Sequence, residues 1–127
     1  MHTVMLLHVV HVEDDDSQRI AMEFVLEKLQ AKLGFTFEQA PDISGGRAAL
    51  QRSSGNVLLL SDRRLPDGDG LELATWARSS LGERVHCIVL SSAIEEGNVS
   101  PGVRTVQKPM DLASQTKLVE AEIGNAG

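Results

Sequence analysis

The sequence has no tyrosine, and its three phenylalanines and one tryptophan bring aromatic residues to only 3%. Val, Leu, Ile and Ala must therefore fill whatever core it builds. A single cysteine, Cys87, excludes an internal disulfide and fits a reducing compartment. It lies within an apolar run, so a small buried side chain is expected there. Basic residues are in the minority, 12 Lys and Arg against 18 Asp and Glu, for a net charge of −6. No Lys/Arg cluster is present, which argues against direct nucleic-acid binding by this domain, because that affinity rests on neutralising phosphates. There is also no apolar run long enough to span a bilayer. Residues 1–12 are apolar, but they carry no Lys or Arg and no small-residue cleavage site, and acidic residues follow at once. They read as a buried strand, and the protein as cytoplasmic, without membrane contact.

What is present suits one globular domain over residues 1–127, with 42% hydrophobic and 24% charged residues. Strand-like and helix-like segments alternate. Residues 6–12 form a nearly continuous apolar run, as expected of a parallel strand covered on both faces. Asp16 or Ser17 can cap a following helix in which Ile20, Phe24, Leu26, Leu29 and Leu33 recur at roughly helical spacing and which Gly34 ends. A short alternating strand (35–39), a helix weakened by Gly45 and Gly46 (44–52) and a turn (53–56) follow. Residues 57–60 are a second buried strand, ending at Ser61-Asp62. A Pro- and Gly-rich loop (65–70) leads to a helix with an apolar side (71–77). Strands at 85–90 and 103–106 come next, then a last helix (111–123) with Asp111 as N-cap and a frayed tail (124–127). This order predicts a doubly wound, five-stranded parallel sheet with helices on both faces.

In such a sheet, ligands sit beyond the carboxyl ends of the strands. Glu13 and Asp14 end the first strand, Asp62 the third, Ser91 and Ser92 the fourth, and Lys108 the fifth. Three carboxylates, a hydroxyl and an ammonium thus converge on one place. Clustered carboxylates repel one another unless a cation neutralises them. A shallow site with few oxygen ligands suits Mg²⁺, which keeps several of its waters. A carboxylate nucleophile flanked by a metal and a lysine would welcome a phosphoryl group. Taken singly, each feature has a plainer reading: a solvated acidic loop, a turn aspartate, serines that end a strand, a surface lysine. The histidines His8, His11 and His86 lack metal-ligand spacing and are expected in the core or at strand edges. Met5, Met22, Phe24 and Trp76 are expected to pack.

The motifs together resemble the receiver domain of two-component response regulators. Val12-Glu13-Asp14-Asp15, with Arg19 beyond, is similar to the family's acidic opening. Residues 62–70, Asp-Arg-Arg-Leu-Pro-Asp-Gly-Asp-Gly, are similar to its D-x-x-L-P-x-x-D-G. Residues 88–92 are similar to the strand that ends in the switch Thr or Ser, and Lys108-Pro109 to its Lys-Pro pair. The resemblance implies a phosphoacceptor at Asp62. It implies Mg²⁺ held by Asp14, Asp62, Glu13 directly or through water, and the backbone carbonyl of Arg64. Ser91 would bond the phosphoryl oxygen, Ser92 would leave room for the group, and Lys108 would pair with it, and with Asp62 beforehand. The implied partners are a histidine kinase or phosphotransfer protein as donor and a downstream protein or fused output domain as reader. The implied role is a signalling module rather than an enzyme.

Two departures bear on the readout. Gly97, Pro101 and Gly102 oppose a helix between Ser91 and Lys108, so the fourth helix is expected to be shortened or absent. The family's usual dimer face includes that helix, so a homodimer would need another mode. Thr105 occupies the position of the family's switch aromatic. These departures leave a second reading open, a constitutive protein-interaction pseudo-receiver that phosphorylation does not control. A third, a hydrolytic phosphotransferase, would need a cap to exclude water, and no segment is large enough.

Overall fold

The structure, a computed structural model, describes residues 6–93 and 97–127. Its elements in chain order are β1 (His8–Val12), α1 (Asp16–Leu33), β2 (Thr36–Ala40), α2 (Ile43–Arg52), β3 (Val57–Asp62), β4 (Arg64–Leu65), β5 (Gly68–Asp69), α3 (Gly70–Leu81), β6 (Val85–Ser91), β7 (Gly97–Ser100), β8 (Val103–Gln107) and α4 (Leu112–Ala126). The main sheet runs β2-β1-β3-β6-β8-β7. Its first five strands are parallel, and β7 pairs antiparallel to β8 at the edge. The expected doubly wound parallel sheet is therefore present, with one strand more than expected.

Strand parity divides the core into two layers. Val10, Val12, Leu59, Val89 and Val103 pack with Ala49, Leu50, Leu73, Ala74 and Ala77 of α2 and α3. Val9, Leu58, Leu60, Ile88 and Leu90 face Met22, Val25, Leu26 and Leu29 of α1 and Val119 and Ile123 of α4. A run that is apolar at every position, such as Val57-Leu58-Leu59-Leu60, is what burial on both faces requires. Cys87 lies in the first layer, and burial pushes its thiol up to about 12.

The sheet-facing stripe of α1 differs from the one anticipated. Met22, Val25, Leu26 and Leu29 are buried, whereas Ile20, Phe24 and Leu33 are exposed. A helix can turn only one arc to the sheet, and the tighter Met22/Val25/Leu26/Leu29 spacing claims it. Phe24 is thus a surface residue, while Trp76 is partly buried, with the Arg47 guanidinium 4.7 Å from its ring centre. Met5 lies outside the described residues. The cap of α1 is Asp15, whose carboxylate accepts from the Ser17 N–H, and Gly34 ends the helix at φ 71°. Asp111 caps α4 as expected, but that helix continues through the segment expected to fray, to Ala126.

Among the described residues no helix lies between β6 and β8. Ile94, Glu95 and Glu96 fall outside them. In place of a fourth crossover helix stands β7, turned back onto β8 through Pro101 and Gly102, with Gly102 at φ 78°. The Arg78 guanidinium of α3 sits where a side chain on Gly102 would go and donates to the Val85 carbonyl. The 65–70 loop is also more regular than expected: β4 and β5 form a two-stranded ladder with Pro66-Asp67 at its tip.

Candidate functional site

The site assembles because parallel strands end together. β1 and β3 pair with Val12 opposite Ser61, and β3 and β6 with Asp62 opposite Leu90. β6 and β8 pair with Ser91 opposite Gln107. Backbone bonds extend this alignment past the strands: Arg63 N–H donates to Leu90 O at 2.9 Å and Lys108 N–H to Ser91 O at 2.7 Å. Glu13, Asp62, Ser91 and Lys108 are thereby brought to one edge of the sheet.

Lys108 is the centre of the arrangement. Its ammonium donates to Glu13 Oε1 at 2.7 Å and to Asp62 Oδ1 at 3.1 Å. Oxygens of Glu13, Asp14 and Asp62 lie within 4.8 Å of one another. The three differ in exposure: Glu13 is buried at 2%, Asp62 is half-buried and Asp14 is exposed. Burial holds the Glu13 carboxyl above the usual range; the Lys108 hydrogen bond pulls it down and the charge of Asp62 pushes it up. For Lys108, burial disfavours the charge, but the hydrogen bonds and charges of Glu13 and Asp62 outweigh it and raise its pKa. A single ammonium set against three carboxylates leaves room for further positive charge. The donor set is hard oxygen, which fits a divalent cation of the Mg²⁺ type.

A cavity of about 750 Å³ opens over Asp62, lined also by Arg63, Arg64, Ser91, Ser92, Asp69 and Lys108. Ser91 is buried, and its hydroxyl accepts from the Ala93 N–H at 3.2 Å. Ser92 is exposed at the rim. Arg64 is exposed on β4, and Arg63 pairs with Asp69 at 3.5 Å. Gly70 makes this packing feasible. A β-carbon there would lie 2.1 Å from the Asp62 carbonyl oxygen and 2.8 Å from the Ser61 hydroxyl. The glycine of the 62–70 motif is required so that the start of α3 can close on the residue it serves.

All the residues expected at the site line it or sit beside it; His8, His11 and His86 do not join it as ligands. His8 bonds Thr36 and Glu38 at a strand edge, and His86 pairs with Glu122 at the far end of the sheet. His11 is buried two residues before Glu13, and its Nδ1 is 3.1 Å from the Gln39 amide nitrogen. Burial, then the charges of Lys108 and Arg19, push it down to about 3, so it is neutral. Sequence reasoning gave no role to Arg19 beyond its spacing. In the structure it donates to the Glu13 carbonyl at 3.1 Å and so ties α1 to the acidic pair. Thr105 is buried on β8 opposite Gly97 of β7, its hydroxyl 3.5 Å from the Gly97 carbonyl.

The fold and this site together are those of one class, the receiver domain of response regulators, to which the chain is similar over nearly its whole length. The receiver domain of the hybrid histidine kinase CckA is 25% identical, with 90% of this chain and 96% of that one covered and a TM-score of 0.67. A two-component transcriptional regulator AraC from Clostridium phytofermentans ISDg is also 25% identical, covering 93% and 92%, with a TM-score of 0.71. The signal receiver domain of an HD domain-containing protein from Pseudomonas fluorescens Pf-5 shares the fold at a TM-score of 0.78 with 16% identity, over 99% and 93% of the two chains. Among full-length relatives, the transcriptional regulatory protein CseB of Streptomyces coelicolor (strain ATCC BAA-471 / A3(2) / M145) is 31% identical over 128 residues. That match takes in 94% of this chain and 52% of CseB, so the chain spans about half the length of this relative. No family model matches the chain.

Proposed function

We propose that the chain is a phosphoacceptor module of two-component signal transduction, with Asp62 as the acceptor and a phosphohistidine of a histidine kinase or phosphotransfer protein as donor. The observation that carries this reading is the Lys108 ammonium bonded to both Asp62 and the buried Glu13, inside a three-carboxylate cluster. An isolated scaffold would not need a buried carboxylate whose desolvation is offset by one lysine.

In this reading Asp62 attacks phosphorus through a carboxylate oxygen. An O–P bond forms as the N–P bond of the donor breaks, and its electron pair returns to the imidazole, which takes up a proton. Lys108 moves from Asp62 toward the new phosphoryl oxygen while keeping Glu13. Ser91 turns its hydroxyl from the Ala93 N–H toward another oxygen, and the rim at Ser92 leaves space for the group. Glu13, Asp14, Asp62 and the carbonyl of Arg64 would hold Mg²⁺, which supplies charge neutralisation at the equatorial oxygens. The donor is a protein in this proposal. The exposed apolar side chains Met110 and Leu112, before and at the start of α4, line a pocket that also holds Glu13 and Lys108, and with the exposed Ile20 and Phe24 of α1 they give the donor somewhere to dock. The chain acts as a cytoplasmic signalling module rather than a turnover enzyme; a downstream protein or fused output domain reads its state, and any homodimer uses a face other than that of a fourth helix. Among the described residues no helix is long and apolar enough to cross a membrane.

The second reading, a constitutive interaction domain, draws on Thr105. A small side chain buried beside β7 cannot swing between two positions as an aromatic would, so the readout must run by another route. Intact-mass analysis decides between the two. The protein is incubated with acetyl phosphate and Mg²⁺ beside Asp62→Asn, and donor consumption is followed in parallel. A metal-dependent phosphoryl adduct on the wild type alone supports the acceptor. Neither adduct nor consumption would leave the constitutive domain as the better account.

A further inference from the structure

The loop that follows Asp62 is strapped to a neighbouring helix by one carboxylate that the reaction itself does not use. Asp67 stands at the tip of the β4–β5 ladder. Its Oδ1 accepts from Ile43 N–H at 2.8 Å and its Oδ2 from Ser44 N–H at 3.0 Å. The next amide of α2, Gly45 N–H, goes to the helix's own cap, Asp42, at 2.7 Å. The opening amides of α2 are thus divided between a local cap and a residue more than twenty positions along the chain. Both backbone bonds hold the Asp67 carboxyl below its usual range. The fit is close on the other side as well: a β-carbon on Gly68 would come within 2.9 Å of the Ile43 Cδ1.

This strap matters because of what else the loop carries. Arg63, Arg64, Leu65, Gly68 and Asp69 all line the cavity over Asp62. Arg64 pairs with Asp69 and Leu65 with Gly68 across the two-residue ladder. So short a ladder has little stability of its own. We propose that Asp67 is a positioning residue for phosphoryl transfer: by gripping the α2 N-terminus it sets where the Arg64 carbonyl and the cavity wall stand relative to Asp62. The proposal rests on the acceptor reading above and assigns Asp67 no contact with metal or phosphoryl group. A residue that orients a metal ligand through one intervening layer typically changes metal affinity by about 10- to 100-fold when lost.

The experiment compares Asp67→Ala and Asp67→Asn with Asp42→Ala, which removes a cap from the same helix without touching the loop. For each, the midpoint of thermal unfolding, the Mg²⁺ dissociation constant by calorimetry, and the rate constant for phosphorylation by acetyl phosphate are measured. Asp42→Ala and Asp67→Ala should both lower the midpoint. Only Asp67→Ala should weaken Mg²⁺, by about tenfold, with slower phosphorylation at saturating metal. Asp67→Asn, which keeps one acceptor oxygen, should fall between wild type and Asp67→Ala. If Asp67→Ala is destabilised yet binds Mg²⁺ and reacts like wild type, or if Asp42→Ala weakens Mg²⁺ equally, the strap is only a second helix cap and the proposal fails. Should Asp67→Ala not fold, Asp67→Asn carries the test by the same criteria. A wild type that neither binds Mg²⁺ nor reacts refutes instead the acceptor reading on which this rests.

Discussion

Replacing Lys108 by Met tests the electrostatic centre of the site through stability alone. The side chain keeps much of its apolar stem, so the change removes chiefly the ammonium. What remains is Glu13, 2% exposed, with the oxygens of Asp62 and Asp14 within 4.8 Å and without its 2.7 Å partner. Removing one member of a fully buried ion pair costs about 3–5 kcal/mol. Lys108 is 24% exposed, and Glu13 can escape part of the penalty by protonation, so we expect about 1–3 kcal/mol at pH 7. The sign with pH follows from linkage. Burial already raises the Glu13 carboxyl above its unfolded value, and loss of the ammonium raises it further. Between those two values the folded state holds a proton that the unfolded state does not, so stability falls as pH rises. The deficit of Lys108→Met should therefore shrink in acid, toward the unfolded carboxylate range, and be largest near neutrality. Urea unfolding of both proteins across that range, without divalent metal, measures it. The double variant Glu13→Gln/Lys108→Met should recover most of the loss, because an apolar-polar pair replaces a stranded charge. A deficit below about 0.5 kcal/mol with no pH trend would refute the reasoning, since exposed pairs alone give about 0.2–1 kcal/mol.

Other perturbations separate the structural from the chemical parts of the site. Gly70→Ala drives a methyl to 2.1 Å from the Asp62 carbonyl oxygen; we expect a loss of about 3 kcal/mol or more, read by denaturant titration, and a fully stable variant would contradict the close approach. Asp62→Asn should keep the fold, as circular dichroism would show, and form no phosphoryl adduct. The Asp67 carboxyl is held low by its two amide bonds, so its contribution is present above the unfolded carboxylate pKa and lost as pH falls through the folded one; Asp67→Ala should flatten the acid limb of the stability profile. Cys87, buried and pushed up to about 12, should resist iodoacetamide at pH 8 in the native state and react fully in urea.

The sequence made the candidate site legible because parallel strands both announce themselves and align. Apolar runs such as Val57–Leu60 mark strands buried on both faces, and the polar residue that ends each run falls at the same sheet edge. Glu13, Asp62, Ser91 and Lys108 could be placed together on that rule alone. The rest depended on long-range pairing, which local pattern does not encode. β7 has no alternation of apolar and polar residues in Gly97-Asn98-Val99-Ser100; it is a strand because β8 offers its edge, and the only local sign was the Pro101-Gly102 turn before Val103. Asp67 read as a turn residue, which it is, but nothing nearby in sequence points to the amides of Ile43 and Ser44. On α1 the helical spacing was real, yet two stripes competed, and only packing selected Met22 and Val25 over Ile20 and Phe24.

β3 is hydrogen-bonded on both sides, with Leu60 held between His11 of β1 and Ile88 of β6. Because side chains alternate along a strand, a slip of one residue would exchange the two core layers and turn Asp62 to the opposite face of the sheet. The location of Asp62 is thus counted out by leucines that take no part in the site. An insertion or deletion inside β3 would barely change the composition yet dismantle the site, whereas the same change in the 53–56 turn would leave the count intact.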